Sequence, residues 1–154
     1  MPRLLFASVD EISDVLDIFA NTPVNIETKD IIPTMVAGVN KRIEVTLNHP
    51  ANTLEYKNWY CAMGRAMMDY IDLRFDRNQF CLMLLQKHLL YGLEPLLRWK
   101  HIGILQRIDT KLARLQSILA DPDRDLGGET LYDTCNDIIG YAVIGYLLRE
   151  KEKV

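Results

Sequence analysis

Residues 101–120 read HIGILQRIDTKLARLQSILA, and residues 130–150 read TLYDTCNDIIGYAVIGYLLRE. Ile104, Leu105, Ile108, Leu112, Leu115 and Leu119 recur at three- and four-residue steps, the period of an amphipathic helix. Arg107, Lys111 and Arg114 follow similar steps and so fall on a second face of that helix. In the following stretch Glu129, Asp133, Asn136 and Gly140 repeat the spacing, while Leu131, Cys135, Ile138, Ala142 and Leu147 form its apolar body. Between the two, Asp121-Pro122 stops the first helix and Gly127-Gly128 permits a tight turn. Two long helices joined by a short loop set the class: an all-α bundle of five to six helices. If they pack antiparallel, the basic stripe looks across at acidic and amide groups. Such a seam is either salt-bridged or a place for a ligand carrying phosphate.

Working outward, residues 96–100 (LLRWK) form a short turn or a helical lead into His101, since Gly92 and then Leu93-Glu94-Pro95 forbid smooth continuation of the helix before them. That helix begins after a good cap, Asp76, and runs RNQFCLMLLQKHLLYG. Its centre is apolar almost all round, which predicts burial inside the bundle. Earlier, Asn52 with Glu55 makes a capping box before LEYKNWYCAMGRAMMDYIDLRF, whose Met63, Met67 and Met68 read as core filling rather than an adaptable binding surface. A helix starting near Pro33 reaches about Leu47, although residues 43–47 also alternate as a short strand would. The first helix is capped by Ser8 with Glu11, carries Val9, Ile12, Val15, Leu16 and Phe19 on one face, and ends near Pro23. The charged tail, residues 149–153, is expected to fray. One domain spans 1–154, with N-terminal helices to residue 80 and a helical core from 81.

Composition narrows the function. The chain has 154 residues, a net charge of −3 and 25% charged residues, so nothing draws an extended nucleic acid to it and any phosphate contact must be local. Cys61, Cys81 and Cys135 stand alone without metal spacing, which points to a reducing cytoplasm. No apolar run reaches the roughly 18 residues a membrane span requires. Serine-hydrolase elbows, phosphate-binding loops and paired zinc histidines are lacking. His88, near a helix end, reads as a cap for backbone carbonyls, and His49 before Pro50 as loop surface. Asn136, a poor helix former amid apolar neighbours, either accompanies close packing at Gly140 or reads the edge of a base or sugar.

The second half also resembles a known family, the phage and bacterial nucleotide modification associated domain 1 proteins. The resemblance is carried by residues 87–92 (KHLLYG), by Gly103-Ile104, Arg107-Ile108, Lys111 and Arg114-Leu115, and by residues 128–131 (GETL). It continues through Asp133-Thr134, Asn136-Asp137 and Tyr141-Ala142, covering about residues 83–150. These proteins look like relatives of the all-α nucleotide pyrophosphohydrolases of the MazG type, which hold magnesium with Glu-x-x-Glu on one helix and Glu-x-x-Asp on a later one. Here the first carboxylate pair is replaced by Arg107, Lys111 and Arg114, and the second survives only as Asp133 and Asn136.

The resemblance therefore implies a nucleotide or cyclic-nucleotide ligand that is bound without a cofactor, in phage nucleotide metabolism, DNA modification or sequestration of a host defence signal. Lys87, Arg107, Lys111 and Arg114 would hold phosphate, Asp133 and Asn136 would read base or ribose, and Tyr91 or Tyr141 would stack. Two alternatives stay open. One is a magnesium-dependent pyrophosphohydrolase using Glu129, Asp133 and Asp137; the other is a structural or protein-interaction bundle whose stripes neutralise each other. The apolar excess of residues 80–90 further predicts a homo-oligomer.

Overall fold

In the computed structural model the described residues are 5–48, 56–92, 94–121 and 130–152. They form six helices with no strand among them, as the periodicity predicts: α1 (Val9–Ala20), α2 (Ile31–Asn48), α3 (Tyr56–Ile71), α4 (Arg77–Tyr91), α5 (Glu94–Ala120) and α6 (Leu131–Lys151). Single 3-10 turns at Thr28–Asp30 and Asp72–Arg74 lead into α2 and out of α3. Residues 43–47 are helical. The capping pair Asn52 and Glu55, His49, and the 122–129 loop with Glu129 lie outside the described residues.

The caps follow local chemistry. The Ser8 hydroxyl accepts from the Glu11 amide at 3.3 Å, and the Glu11 carboxylate accepts from the Ala7 amide at 3.1 Å. Asp76 accepts from the Gln79 amide to start α4, and Gly92 ends it with a φ of 67°, a backbone conformation that favours glycine. Thr130 and Asp133 close a reciprocal capping box on α6. Within α5, Lys100 has φ 54° and ψ −134°, so the chain kinks there and a new helical direction begins at His101. Left-handed backbone costs a lysine about 1–2 kcal/mol, and the turn it makes directs His101 into the core.

The centre of the bundle is α6. It packs on α3, α5 and α1, while α2 lies on α5 and α4 lies on α1. Burial runs round α6 from Thr134 to Arg149 and includes Cys135, Ile138, Ile139, Ala142, Val143 and Leu148. Two small residues allow this. A Cβ on Gly145 would sit 2.4 Å from the Tyr60 ring, and one on Gly64 of α3 would sit 2.3 Å from Phe19. Met63 and Met67 fill core space as expected, while Met68 is only partly buried against the core.

The expectation that α4 is buried fails. Phe80, Cys81 and His88 turn inward, but Leu82, Met83, Leu89 and Leu90 are exposed. Only one stripe of α4 has a neighbour to pack on, because α6 has taken the central place. The expected fraying of the tail fails as well. Glu150 pairs with Lys57 of α3 at 2.5 Å, and Glu152 reaches His101 at 3.2 Å, so α6 is tied down to its last turn. Leu119, placed by periodicity on the inner face of α5, is 45% exposed near the helix end.

Candidate functional site

A cavity of about 480 Å³ opens between α4 and α6, with Lys111 of α5 at its edge. That volume lies within the ordinary range for small-molecule sites. One wall is apolar, built from Phe80, Met83 and Leu84 of α4 and Ile144 of α6. The opposite wall is polar and comes from successive turns of α6: Asp133, Asn136, Asp137, Gly140 and Tyr141. Gly140 helps α4 approach, since a Cβ there would already touch Leu84 Cδ1 at 3.4 Å.

Two lysines from different helices converge on one carboxylate. Lys111 Nζ lies 2.9 Å from Asp137 Oδ2, and Lys87 Nζ lies 3.4 Å from Asp137 Oδ1. Lys111 is the better shielded of the two, with its side chain 21% exposed against 53% for Lys87. The remaining carboxylates of the lining are spoken for. Asp76 caps α4, and Asp133 accepts from the Thr130 amide at 3.1 Å, each at a helix start where backbone N–H groups compensate its charge. Over the whole lining Lys87, Lys111 and Arg74, the last stacked 4.9 Å over the Tyr132 ring, balance Asp76, Asp133 and Asp137, so the positive charge is local to the two lysines.

Two polar atoms of the lining have no partner. Asn136 Oδ1 is buried and accepts nothing. His88 is 2% exposed; its Nε2 accepts from the Leu5 amide at 3.2 Å, which places the proton of the neutral ring on Nδ1, and Nδ1 has no acceptor. The imidazole therefore does not cap α4 as its position near the helix end predicts. It faces the N-terminal segment, where the Phe6 ring sits 4.3 Å away, centroid to centroid. A buried polar group left unpaired costs about 1–3 kcal/mol, so each favours a partner, whether water, a ligand or a shifted side chain.

The structure brings together Lys87, Lys111, Asp133, Asn136, Asp137 and Tyr141 of the residues singled out from sequence. It does not bring Arg107 or Arg114, which stand exposed outside the cavity lining. The reason is helical phase. At about 100° per residue, Arg107 and Arg114 nearly coincide in direction, while Lys111 lies about 40–60° from them, on the flank that faces α6. The Tyr91 side chain and Glu129 lie outside what the structure describes. A magnesium role for Asp137 fits poorly, because two ammonium groups already hold its carboxylate. Among the described residues no three His, Cys, Asp or Glu side chains gather to hold a metal.

No family model, curated protein or solved structure matches this chain. The site must be read from its own chemistry. Arg74, Gln79, Phe80, Met83, Leu84 and Ile144 are lining residues that sequence reading missed, and the signal for most of them was there. Apolar residues on the outward side of α4 have to face something, and Met83 and Leu84 face the gap beside α6.

A second polar cluster lies elsewhere. His101 Nδ1 is 2.9 Å from the Tyr60 hydroxyl, and His101 Nε2 is 3.2 Å from the Glu152 carboxylate. The Tyr60 ring stacks on the imidazole and the Tyr56 ring meets it edge-on. This chain of carboxylate, imidazole and phenol joins α6, α5 and α3, and it is structural in character. Burial pushes the Tyr60 phenol well above its ordinary range, so it is no nucleophile. The buried Cys135 thiol is likewise pushed up to about 12.

Burial lowers the pKa of both His88 and His101 below the ordinary 6.5, the Glu152 carboxylate opposing this at His101 while Arg149 and Lys100 add to it. A folded pKa below the unfolded one means that the unfolded chain binds more protons. The stability held by the two neutral rings is complete above about pH 6.5, and it is lost as pH falls from there through the folded values. The melting temperature should accordingly drop on going from neutral to mildly acidic buffer, and His88→Gln should flatten that drop. A melting temperature that rises over the same interval would contradict this account.

Proposed function

We propose that the cavity between α4 and α6 binds a nucleotide or nucleotide-like ligand. The observation that supports this best is the convergence of Lys87 and Lys111 on Asp137 at the edge of a half-apolar cavity. The phosphate takes the place of the Asp137 carboxylate between the two ammonium groups, exchanging one set of charge-assisted contacts for another. The flat ring enters between Phe80, Met83, Leu84 and Ile144, with Tyr141 beside it. Asn136 offers an acceptor to an amino or imino edge. Arg107 and Arg114 have no part in this grip.

Binding without turnover is the form of the proposal, because among the described lining residues the carboxylates are held by backbone amides or by lysine. The two lysines are engaged with Asp137, and the His88 imidazole has its accepting nitrogen turned to the Leu5 amide. The setting is the one the family resemblance implies, phage nucleotide metabolism, DNA modification or sequestration of a host signal. Isothermal titration with nucleoside mono- and triphosphates and with cyclic nucleotides tests the proposal. Saturable heat with at least one of them is expected, and silence from the whole panel removes it.

A further inference from the structure

The two lysines of the cavity already hold an anion, and they hold it one oxygen each. Asp137 Oδ1 lies 3.4 Å from Lys87 Nζ of α4, and Asp137 Oδ2 lies 2.9 Å from Lys111 Nζ of α5. A single negative charge spread over two oxygens thus bridges ammonium groups from two helices. Any group that replaces it meets a seat for one charge and two oxygens.

The rest of the described lining adds nothing for a more highly charged group. Its remaining cation, Arg74, stands at the helix starts that also carry Asp76 and Asp133. When the Asp137 side chain swings aside it stays at the cavity, so two ammonium charges less one carboxylate leave a local charge of +1. That Lys111 is engaged beyond Asp137 as well only limits further what the pair can lend.

We propose, building on the nucleotide reading of this cavity, that its ligand carries a phosphodiester, held between Lys87 and Lys111 in place of Asp137. A diester has one negative charge on two non-ester oxygens, so it matches the displaced carboxylate in both. A terminal monoester brings about 1.5–2 charges and three oxygens at neutral pH, and every phosphate added to it brings more. The surplus charge sits in a half-apolar cavity beside Asp137, where like charges repel with less screening than in water. A monoester should therefore bind roughly tenfold more weakly than the diester, and a triphosphate more weakly still. Cyclic mononucleotides and dinucleoside monophosphates both present such a diester, and they differ in carrying one base or two.

Titration calorimetry on the full chain at about pH 7.5 compares, for each base, the 3′,5′-cyclic mononucleotide, the dinucleoside monophosphate, the 5′-monophosphate and the 5′-triphosphate. The two diesters should lead, and the tighter of them identifies the source. At about pH 5.5 the monoester takes up a proton, its second pKa being about 6, and should draw level with the diester to within a few fold. Each comparison is a ratio of two ligands on one protein, so acid effects on the protein common to both cancel. Asp137→Asn raises the local charge to +2 and should narrow the same gap at neutral pH. A monophosphate or triphosphate that binds as tightly as the diesters at pH 7.5 overturns the inference and leaves nucleotide binding standing. So does a gap that persists in acid, or one unchanged by Asp137→Asn in a variant with an intact helical spectrum. Silence from every ligand removes nucleotide binding itself, and the diester with it.

Discussion

Lys111→Met should lower affinity for the tightest-binding nucleotide of the panel by about ten- to a hundredfold, the loss of one charge-assisted hydrogen bond of about 1.5–3 kcal/mol. Lys87→Met should cost less. Its side chain is 53% exposed against 21%, so water screens its contact with the phosphate more fully. Asp137→Asn should act in the opposite direction and tighten binding. Its carboxylate occupies the position between the ammonium groups that the phosphate must take, and an amide competes for it only weakly. Titration calorimetry on the three variants, with circular dichroism to confirm folding, gives an ordering that few other sites would reproduce. Equal, unaltered affinities in all three would place the ligand elsewhere on the protein.

The largest effect on stability is expected at Gly145. Alanine there would put a methyl carbon 2.4–2.6 Å from three ring carbons of Tyr60. Tyr60 cannot swing aside cheaply: its hydroxyl is bonded to His101, and the Tyr56 and Trp59 rings lie against it. Overpacking of this kind costs about 1–3 kcal/mol, often more when the neighbour is locked. Replacing glycine inside a helix returns about 1 kcal/mol, so the net outcome is a clear loss. Gly140→Ala makes the internal control. It sits on the same helix, gains the same propensity, and meets only Leu84 Cδ1 at 3.4 Å. Thermal unfolding should show Gly145→Ala melting several degrees lower and Gly140→Ala unchanged or slightly higher. Equal shifts for the pair would mean that Tyr60 is freer than its contacts indicate.

Helix positions were legible because capping chemistry is local. Ser8 with Glu11, Asp76 and Gly92 each satisfy backbone groups within a few residues, and each stands where the helices begin or end. Which helix becomes the centre is decided by competition, and that was misread. Residues 77–91 look as apolar as residues 131–151, but α6 carries Gly140, Ala142 and Gly145, and small residues let neighbours come close on every side. The bulky leucines of α4 admit no such approach. The site was half legible for a related reason. Lys111, Asn136, Asp137 and Tyr141 are conspicuous as polar side chains on otherwise buried helices, whereas the phase that separates Lys111 from Arg107 and Arg114 matters only once α6 has a fixed position. The apolar wall depends on how far α4 stands from α6, which no local pattern encodes.

The central place of α6 also orders events in time. Translation delivers α1 to α5 before the helix against which α1, α3 and α5 pack. Until residues 131–151 have been made, Tyr60 lacks Gly145 to close on, and the inner stripe of α5 has only α2 to cover it. A ribosome stalled before α6 would therefore expose the apolar faces of α1, α3 and α5 that α6 covers, the kind of surface that holding chaperones bind.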